Sequence, residues 1–245
     1  TLHGQDGNDI IYGKEGDDSL HGDNGNDRIS AAAGNDMVSG GAGDDSLYGE
    51  AGDDQLSGDD GNDSIYGGDG NDSIDGGAGD DYLNGGAGSD TYRFSGNFGQ
   101  DTVRNDDSSA GRQDTLQFTD LKREDVSITR DGDHLVIKDR HSDNQVTVRY
   151  HFYKNDGDTY RIDKIRFADG SELDSAALKE IVQQGSDGDD YLVAYPEGST
   201  LYGKDGNDTI YGKEGDDSLH GDNGNDRISA GAGNDTVSGG AGDDS

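Results

Sequence analysis

One aspartate recurs every nine residues through the first ninety residues of the chain. Asp9, Asp18, Asp27, Asp36, Asp45, Asp54, Asp63, Asp72, Asp81 and Asp90 share one phase without an insertion. After an interval the spacing returns at Asp190, Asp208, Asp217, Asp226, Asp235 and Asp244. A carboxylate is a hard oxygen donor, and hard donors brought into register suit calcium. The chemistry this pattern could do is therefore the binding of a row of divalent cations, provided the backbone stacks each aspartate over the next.

The rest of each nonapeptide supplies the stacking. Written in nines from Gly4, the fourth position is always Gly, from Gly7 to Gly88, and the sixth is always Asp. The eighth position is apolar from Ile11 to Leu83, and Tyr92 closes the series. Six residues rich in Gly, Asn and Asp predict a turn, because these residues tolerate positive φ and hydrogen-bond locally. The three residues that follow predict a minimal strand with one inward apolar side chain. Two repeats would then make one coil with a turn at each end, and successive coils would bring carboxylates and turn carbonyls into line.

This pattern resembles the haemolysin-type calcium-binding nonapeptide GGxGxDxUx of the RTX (repeats-in-toxin) family, a calcium-binding β-helix repeat. The resemblance implies an all-β fold of right-handed parallel β-roll blocks. It places each calcium ion between turns of neighbouring coils on one side, so that repeat n pairs with repeat n+2. Ten repeats then give about eight interior calcium sites in the first roll, built from the oxygen ligands calcium prefers. The sixteen aspartates named above are the ligands it implies.

Composition sets bounds on function. The chain of 245 residues is 27% hydrophobic and carries a formal net charge of −35, with a mean hydropathy of −1.00. Composition alone would fit a disordered linker. A linker, however, has no need of an aspartate in strict phase across ninety residues, so disorder is expected only without calcium. There is no Cys, which removes disulfides, thiol catalysis and thiolate metal sites. No apolar run approaches the roughly 20 residues of a membrane span. The acidity disfavours nucleic acid and anionic membranes as partners. Charge is also uneven: residues 1–93 carry 22 acids and 3 bases, residues 94–184 carry 18 and 13, and residues 185–245 carry 14 and 3. These shifts predict three segments, a roll over 1–93, a β-rich domain over 94–184 and a second roll over 185–245.

Within 94–184 the nine-residue phase is lost and aromatic and β-branched residues increase. Strands are predicted at Thr91–Phe94, Asp101–Arg104, Thr115–Phe118, Val126–Thr129, His134–Lys138, Gln145–Tyr150 and Arg161–Phe167, with a hairpin turn at Asp131-Gly132. One short helix is predicted near Ser175–Gln184, with Leu178, Ile181 and Val182 on its apolar face. The stretch from Ser89 to Asn105 and the later IDKIRFADGSEL resemble the segment that follows repeat blocks in haemolysin-related and iron-regulated RTX proteins, which packs on the last coil. Some of those proteins cleave themselves at an Asp-Pro bond. The sole proline here, Pro196, follows Tyr195, so that property is not carried over.

The phase returns at Gly185, with one repeat in which Ser199 replaces the aspartate and Glu197 the glycine. Residues 13–30 recur identically at 212–229, an offset of 199. This predicts a piece of a tandem array, one 199-residue unit and 46 residues of the next; a recent duplication within a short protein is the alternative.

Other side chains offer weaker signals. Tyr12, Tyr48 and Tyr66 share position nine of odd repeats and should lie on one outer face, interrupted by Ser30 and Asn84. A sugar-binding stripe is one reading; tyrosine favoured on a strand surface is the other. His134, His141 and His151 lack metal-type spacing, and no GxSxG elbow accompanies a Ser, so no catalytic residue is expected. The function implied is that of a calcium-dependent folding module of a large secreted bacterial RTX toxin or adhesin. It would pass through a type I secretion apparatus, fold outside the cell as a monomer, and act as a spacer or scaffold. The alternative is a module that binds a surface glycan or receptor.

Overall fold

The computed structural model describes residues 1–153 and 159–245. Its fold is all-β apart from the short helix Ser175–Ile181 and one 3-10 turn at Arg123–Asp125. The chain divides into two compact units, 1–127 with 133–175, and 128–132 with 176–245.

In the first unit the nonapeptides alternate between two parallel sheets. One sheet runs in the order Leu2–Asp6, Ser19–Asn24, Met37–Ala42, Gln55–Asp60, Ser73–Asp75, Thr91–Phe94, Thr115–Phe118, Lys164–Arg166 and Glu172–Asp174. The other holds Ile10–Glu15, Arg28–Ala33, Ser46–Ala51, Ser64–Asp69, Tyr82–Ala87, Gln100–Val103, Gln145–Val148 and His134–Asp139. Within the repeats the register steps by 18 residues, two nonapeptides per coil. Both sheets therefore run past residue 93 into the aperiodic segment without a break.

The inward residues form two apolar columns. Leu20, Val38, Leu56, Ile74, Tyr92, Leu116 and Ile165 align across the first sheet. Ile11, Ile29, Leu47, Ile65, Leu83, Val103 and Val148 align across the second. All fourteen are buried. Each fully buried aliphatic side chain contributes about 1.5–3 kcal/mol, so the core is a one-residue-wide file whose strength grows with the number of coils. Beyond Tyr92 the core widens. Phe94, Phe98, Phe118 and Phe167 pack together, with ring centroids of Phe118 and Phe167 at 5.8 Å.

Ser73–Asp75 has the three residues expected, as do Tyr191–Val193, Thr200–Tyr202, Thr209–Tyr211 and Arg227–Ser229, but the other repeat strands are longer. Ile10–Glu15 and its equivalents run to six, because the first three residues of the next repeat keep pairing: Gly68 lies opposite Gly86 and Asp69 opposite Ala87. The chain bends within this ladder at position two, where Lys14, Asp23, Glu50 and Asp59 all take positive φ.

In the aperiodic segment the strands at Thr91–Phe94 and Thr115–Phe118 match the expectation, and Gln145–Val148 and Lys164–Arg166 are shorter than expected. Glu172–Asp174, not foreseen, pairs antiparallel with Lys164–Arg166.

The second unit has two three-stranded parallel sheets, Tyr191–Val193, Thr209–Tyr211, Arg227–Ser229 and Thr200–Tyr202, Ser218–Asn223, Thr236–Ala241. Leu192, Ala194, Leu201, Ile210 and Leu219 form its core. The helix stops at Ile181, short of the expected Gln184, because Gln184 forms a bridge to Tyr202 and the Gly185 N–H donates to the Tyr202 carbonyl. The two repeat blocks thus lie in separate sheets.

Candidate metal centre

The position-six aspartates stand where the turn enters each strand, and the 18-residue register stacks them in two ladders. In one, the backbone N–H of Asp9 donates to Asp27 Oδ1, Asp27 to Asp45, Asp45 to Asp63 and Asp63 to Asp81, at 2.7 Å in each case. In the other, Asp18 donates to Asp36, Asp36 to Asp54, Asp54 to Asp72 and Asp72 to Asp90, at 2.7 to 2.9 Å. The inner carboxylates are buried, from Asp27 at 3% exposure to Asp90 at 0%. Asp9 and Asp18 are partly buried.

One oxygen of each pair is satisfied and the other is not. Oδ2 of Asp9, Asp27, Asp36, Asp45, Asp54, Asp63, Asp72, Asp81 and Asp90 is buried without a hydrogen-bond partner. A buried charged oxygen with no partner is costly, and here the cost recurs at every turn. A space opens beside each orphaned oxygen. A Cβ added to Gly58, at position one, would lie 2.1 Å from Asp63 Oδ2 and 2.3 Å from the Gly76 carbonyl oxygen. Gly67 stands in the same relation to Asp72 Oδ2 and the Gly85 carbonyl, at 2.2 and 2.4 Å. A carboxylate oxygen and a carbonyl oxygen from the next coil converge on space that a side chain would fill. Among the described residues no three His, Cys, Asp or Glu side chains form a metal cluster. A cation here would draw on one carboxylate per turn and on backbone oxygens, a donor set that fits calcium.

The electrostatics of these carboxylates follow from their burial. Burial, reinforced by neighbouring carboxylates, pushes Asp45, Asp54 and Asp81 up to about 6, and Asp63, Asp72 and Asp90 up to about 7. The backbone N–H donated to each Oδ1 opposes this and is outweighed.

The second unit repeats the arrangement. Asp190, Asp208, Asp226 and Asp244 form one ladder, with N–H to Oδ1 distances of 2.9 to 3.0 Å. Asp217 and Asp235 continue the other. Oδ2 of Asp208, Asp217 and Asp226 is buried and unpartnered, whereas Asp190 Oδ2 accepts from the Ser186 N–H at 2.6 Å. Asp235 is partly buried and Asp244 is exposed. Ser199 keeps the ladder bond, its N–H donating to Asp217 Oδ1 at 2.7 Å, while its hydroxyl accepts the Tyr195 N–H at 2.8 Å.

Two ladder residues lie outside the periodic block. The Asp81 N–H donates to Asp101 Oδ1 and the Asp90 N–H to Asp114 Oδ1, both at 2.9 Å. A signal for both exists in the sequence: Asp101-Thr102-Val103 and Asp114-Thr115-Leu116 keep the spacing of ladder aspartate to inward residue seen in Asp81-Tyr82-Leu83.

Tyr12, Ser30, Tyr48, Tyr66 and Asn84 align across the second sheet as position nine predicts. Tyr48 and Tyr66 stack at 5.2 Å with planes 4° apart, Tyr82 packs on Tyr66 at 5.7 Å, and the Arg28 guanidinium lies 4.4 Å over Tyr48. The faces of Tyr48 and Tyr66 are thus covered by neighbouring side chains.

Comparison with known proteins agrees with this geometry. The chain matches the RTX calcium-binding nonapeptide repeat (4 copies) at residues 3–38, 30–65, 57–92, 184–219, 196–228 and 211–245. It belongs to that family of calcium-binding repeat proteins. Residues 134–177 match the haemolysin-type calcium binding protein related domain. The iron-regulated protein FrpA of Neisseria meningitidis serogroup C is 50% identical over 114 residues, which cover 46% of this chain and 10% of that protein. The chain thus spans about a tenth of the length of that relative. Among solved structures, the extracellular lipase LipA from Serratia marcescens aligns over 83% of this chain and 29% of its own, at 20% identity and a TM-score of 0.25. Among the described residues no helix is long and apolar enough to cross a membrane.

Proposed function

We propose that the chain is a calcium-dependent folding module of a large type I-secreted RTX protein, a scaffold or spacer that orders outside the cell. Residues 1–93 and 185–245 act as the calcium rolls, and 94–184 finishes the two sheets of the first. The ladder aspartates, Asp9 to Asp90 and Asp190 to Asp244, are the metal ligands. The observation that carries this reading is the row of buried, unpartnered Oδ2 atoms, with a carbonyl of the next coil beside those of Asp27, Asp45, Asp54, Asp63 and Asp72. Calcium, when bound, would supply the positive charge these oxygens lack and tie neighbouring coils together.

The chain's own residues make folding conditional. The position-six N–H fixes one carboxylate oxygen and leaves the other aimed at the cradle. The position-one glycine keeps the cradle open. The net charge of −19 over residues 1–93 opposes compaction until it is offset. Extracellular modules bind calcium at roughly 10⁻⁴–10⁻³ M, between cytosolic and exterior levels. The test is circular dichroism of the chain during a calcium titration from excess chelator, with magnesium as control. A β-type spectrum is expected to appear with calcium and not with magnesium, which demands near-octahedral geometry and holds its waters. A spectrum already complete in chelator and unchanged by millimolar calcium would sink the proposal.

A further inference from the structure

The two ladders of the first unit end in different ways. After Arg93 a two-residue insertion, Phe94-Ser95, precedes the nonapeptide-like stretch Gly96 to Arg104, GNFGQDTVR. Gly99 holds position four of this stretch. It has φ +68, and a Cβ there would lie 2.1 Å from the Gly79 carbonyl oxygen, as one on Gly88 would lie 1.8 Å from that of Gly70. Asp101 holds position six. It is 2% exposed, its Oδ1 accepts the Asp81 N–H at 2.9 Å, and its Oδ2 is buried with no partner. The next coil places Val146 opposite Asp101, so this ladder stops with an open carboxylate oxygen.

The other ladder stops at Asp114, in the stretch Ser109 to Gln117, SAGRQDTLQ, where Arg112 stands at position four in place of Gly. Asp114 Oδ1 accepts the Asp90 N–H like any ladder aspartate. Its Oδ2, the oxygen left bare in the repeats, is taken by the Arg112 guanidinium and by Asn105 Nδ2, the latter at 2.6 Å. The Arg112 side chain is 7% exposed and also reaches Asp107 Oδ2 at 3.4 Å and Asp163 Oδ2 at 3.1 Å. Asp107 Oδ2 in turn accepts the Gly88 N–H at 3.2 Å. The fully buried Tyr92 hydroxyl accepts the Gly85 N–H and donates to Asn105 Oδ1, both at 2.7 Å, which fixes the amide toward Asp114.

Resting on the calcium reading above, we propose that the first ladder gains a further metal site at Asp101, outside the nonapeptide block, whereas the second is closed at Asp114 by the Arg112 guanidinium in place of an ion. An arginine is a cation that neither dissociates nor deprotonates under physiological conditions, and its planar fork suits several carboxylates at once. In the folded chain the coil at Asp114 is thereby closed without an ion, and the coil at Asp101 is not.

Native mass spectrometry of the full chain in calcium counts bound ions one at a time. Asp101→Asn should bind one ion fewer than the wild type. Asp114→Asn should bind the same number. Arg112→Gln, which leaves Asp107, Asp114 and Asp163 without their shared cation, should bind one more. Should Arg112→Gln fail to fold, the two Asp→Asn variants decide. Loss of an ion from Asp114→Asn, no loss from Asp101→Asn, or a folded Arg112→Gln with an unchanged count would overturn the inference. A wild-type chain that binds no calcium would overturn instead the reading on which it rests.

Discussion

At the scale of the residue, the nonapeptide separates positions that tolerate change from one that does not. Position one is Gly in most repeats, yet Ala31, Ala194 and Ala230 occupy it. Position four never varies within residues 4–93. Gly61 shows why: its φ is +139, and a Cβ would lie 2.0 Å from the Gly43 carbonyl oxygen, a backbone atom that cannot swing away. Gly61→Ala is therefore expected to destabilise the calcium-loaded chain by about 1–3 kcal/mol, read from thermal melts. Gly188→Ala, where φ is ordinary and the nearest atom is 3.8 Å away, should have little effect. Equal losses in the two variants would count against backbone strain as the cause.

The orphaned carboxylates also set a pH dependence whose sign depends on calcium. Burial raises Asp63, Asp72 and Asp90 to about 7 in the folded chain, above the ordinary value near 3.9 of an unfolded Asp. The folded state without metal thus binds more protons than the unfolded state. Its stability is favoured at low pH and lost as pH rises through about 7. In calcium the sign reverses, because ions and protons compete for the same oxygens. The calcium midpoint, followed by circular dichroism, should rise as pH falls from about 7 to about 5.5, within the window between these two carboxyl values. In chelator, residual β structure should increase over the same fall. A midpoint independent of pH would show that these carboxylates do not face the ion.

At the scale of the element, the coil was legible in the sequence and its ends were not. A fixed period of nine predicts two turns, two strands and an 18-residue register, and the structure has that register throughout the repeats. The six-residue strands were not legible because the sequence shows glycine-rich turns but not that their first residues keep pairing. The helix end was misjudged because Gln184 is drawn into a bridge with Tyr202, a long-range contact no local pattern reveals. Asp101 and Asp114 escaped notice because insertions shift their phase, although their spacing to the next inward residue is intact. Arg112 lies only two residues from Asp114, but the fold alone brings Asp163 to the same guanidinium.

The tyrosine file belongs to the same scale. Position nine predicted its alignment but not that its rings would cover one another. Tyr66 lies between Tyr48 and Tyr82, and Arg28 covers the far side of Tyr48. Stacked pairs contribute about 0.5–1.5 kcal/mol beyond area, so the file works as a surface brace between coils. Tyr66→Ala is expected to lower stability by about 1–2 kcal/mol with the number of bound calcium ions unchanged. A loss of glycan affinity with no change in stability would favour the binding-module alternative.

At the scale of the whole molecule, the two compact units have unequal means of holding together. Stability in a stacked array is approximately a sum over neighbouring coils. The first unit aligns two columns of seven buried residues and adds the phenylalanine cluster. The second has five residues in its core, four of its six strands lie at the edges of three-stranded sheets, where Val237 is exposed, and Ser199 replaces one ladder carboxylate. The Ser199 hydroxyl is already engaged by the Tyr195 N–H. With fewer coils and a carboxylate missing, the second unit should need more calcium to order than the first. Limited proteolysis during a stepwise lowering of calcium tests this. The repeats after Ser175 should be cut first, leaving a protected fragment that begins at Thr1, and this fragment should disappear only at a lower calcium concentration. Ser199→Asp should narrow the gap between the two steps by restoring a carboxylate to the ladder. Simultaneous loss of both units, or cleavage of the first before the second, would show that coil number and ladder completeness do not set the order of folding.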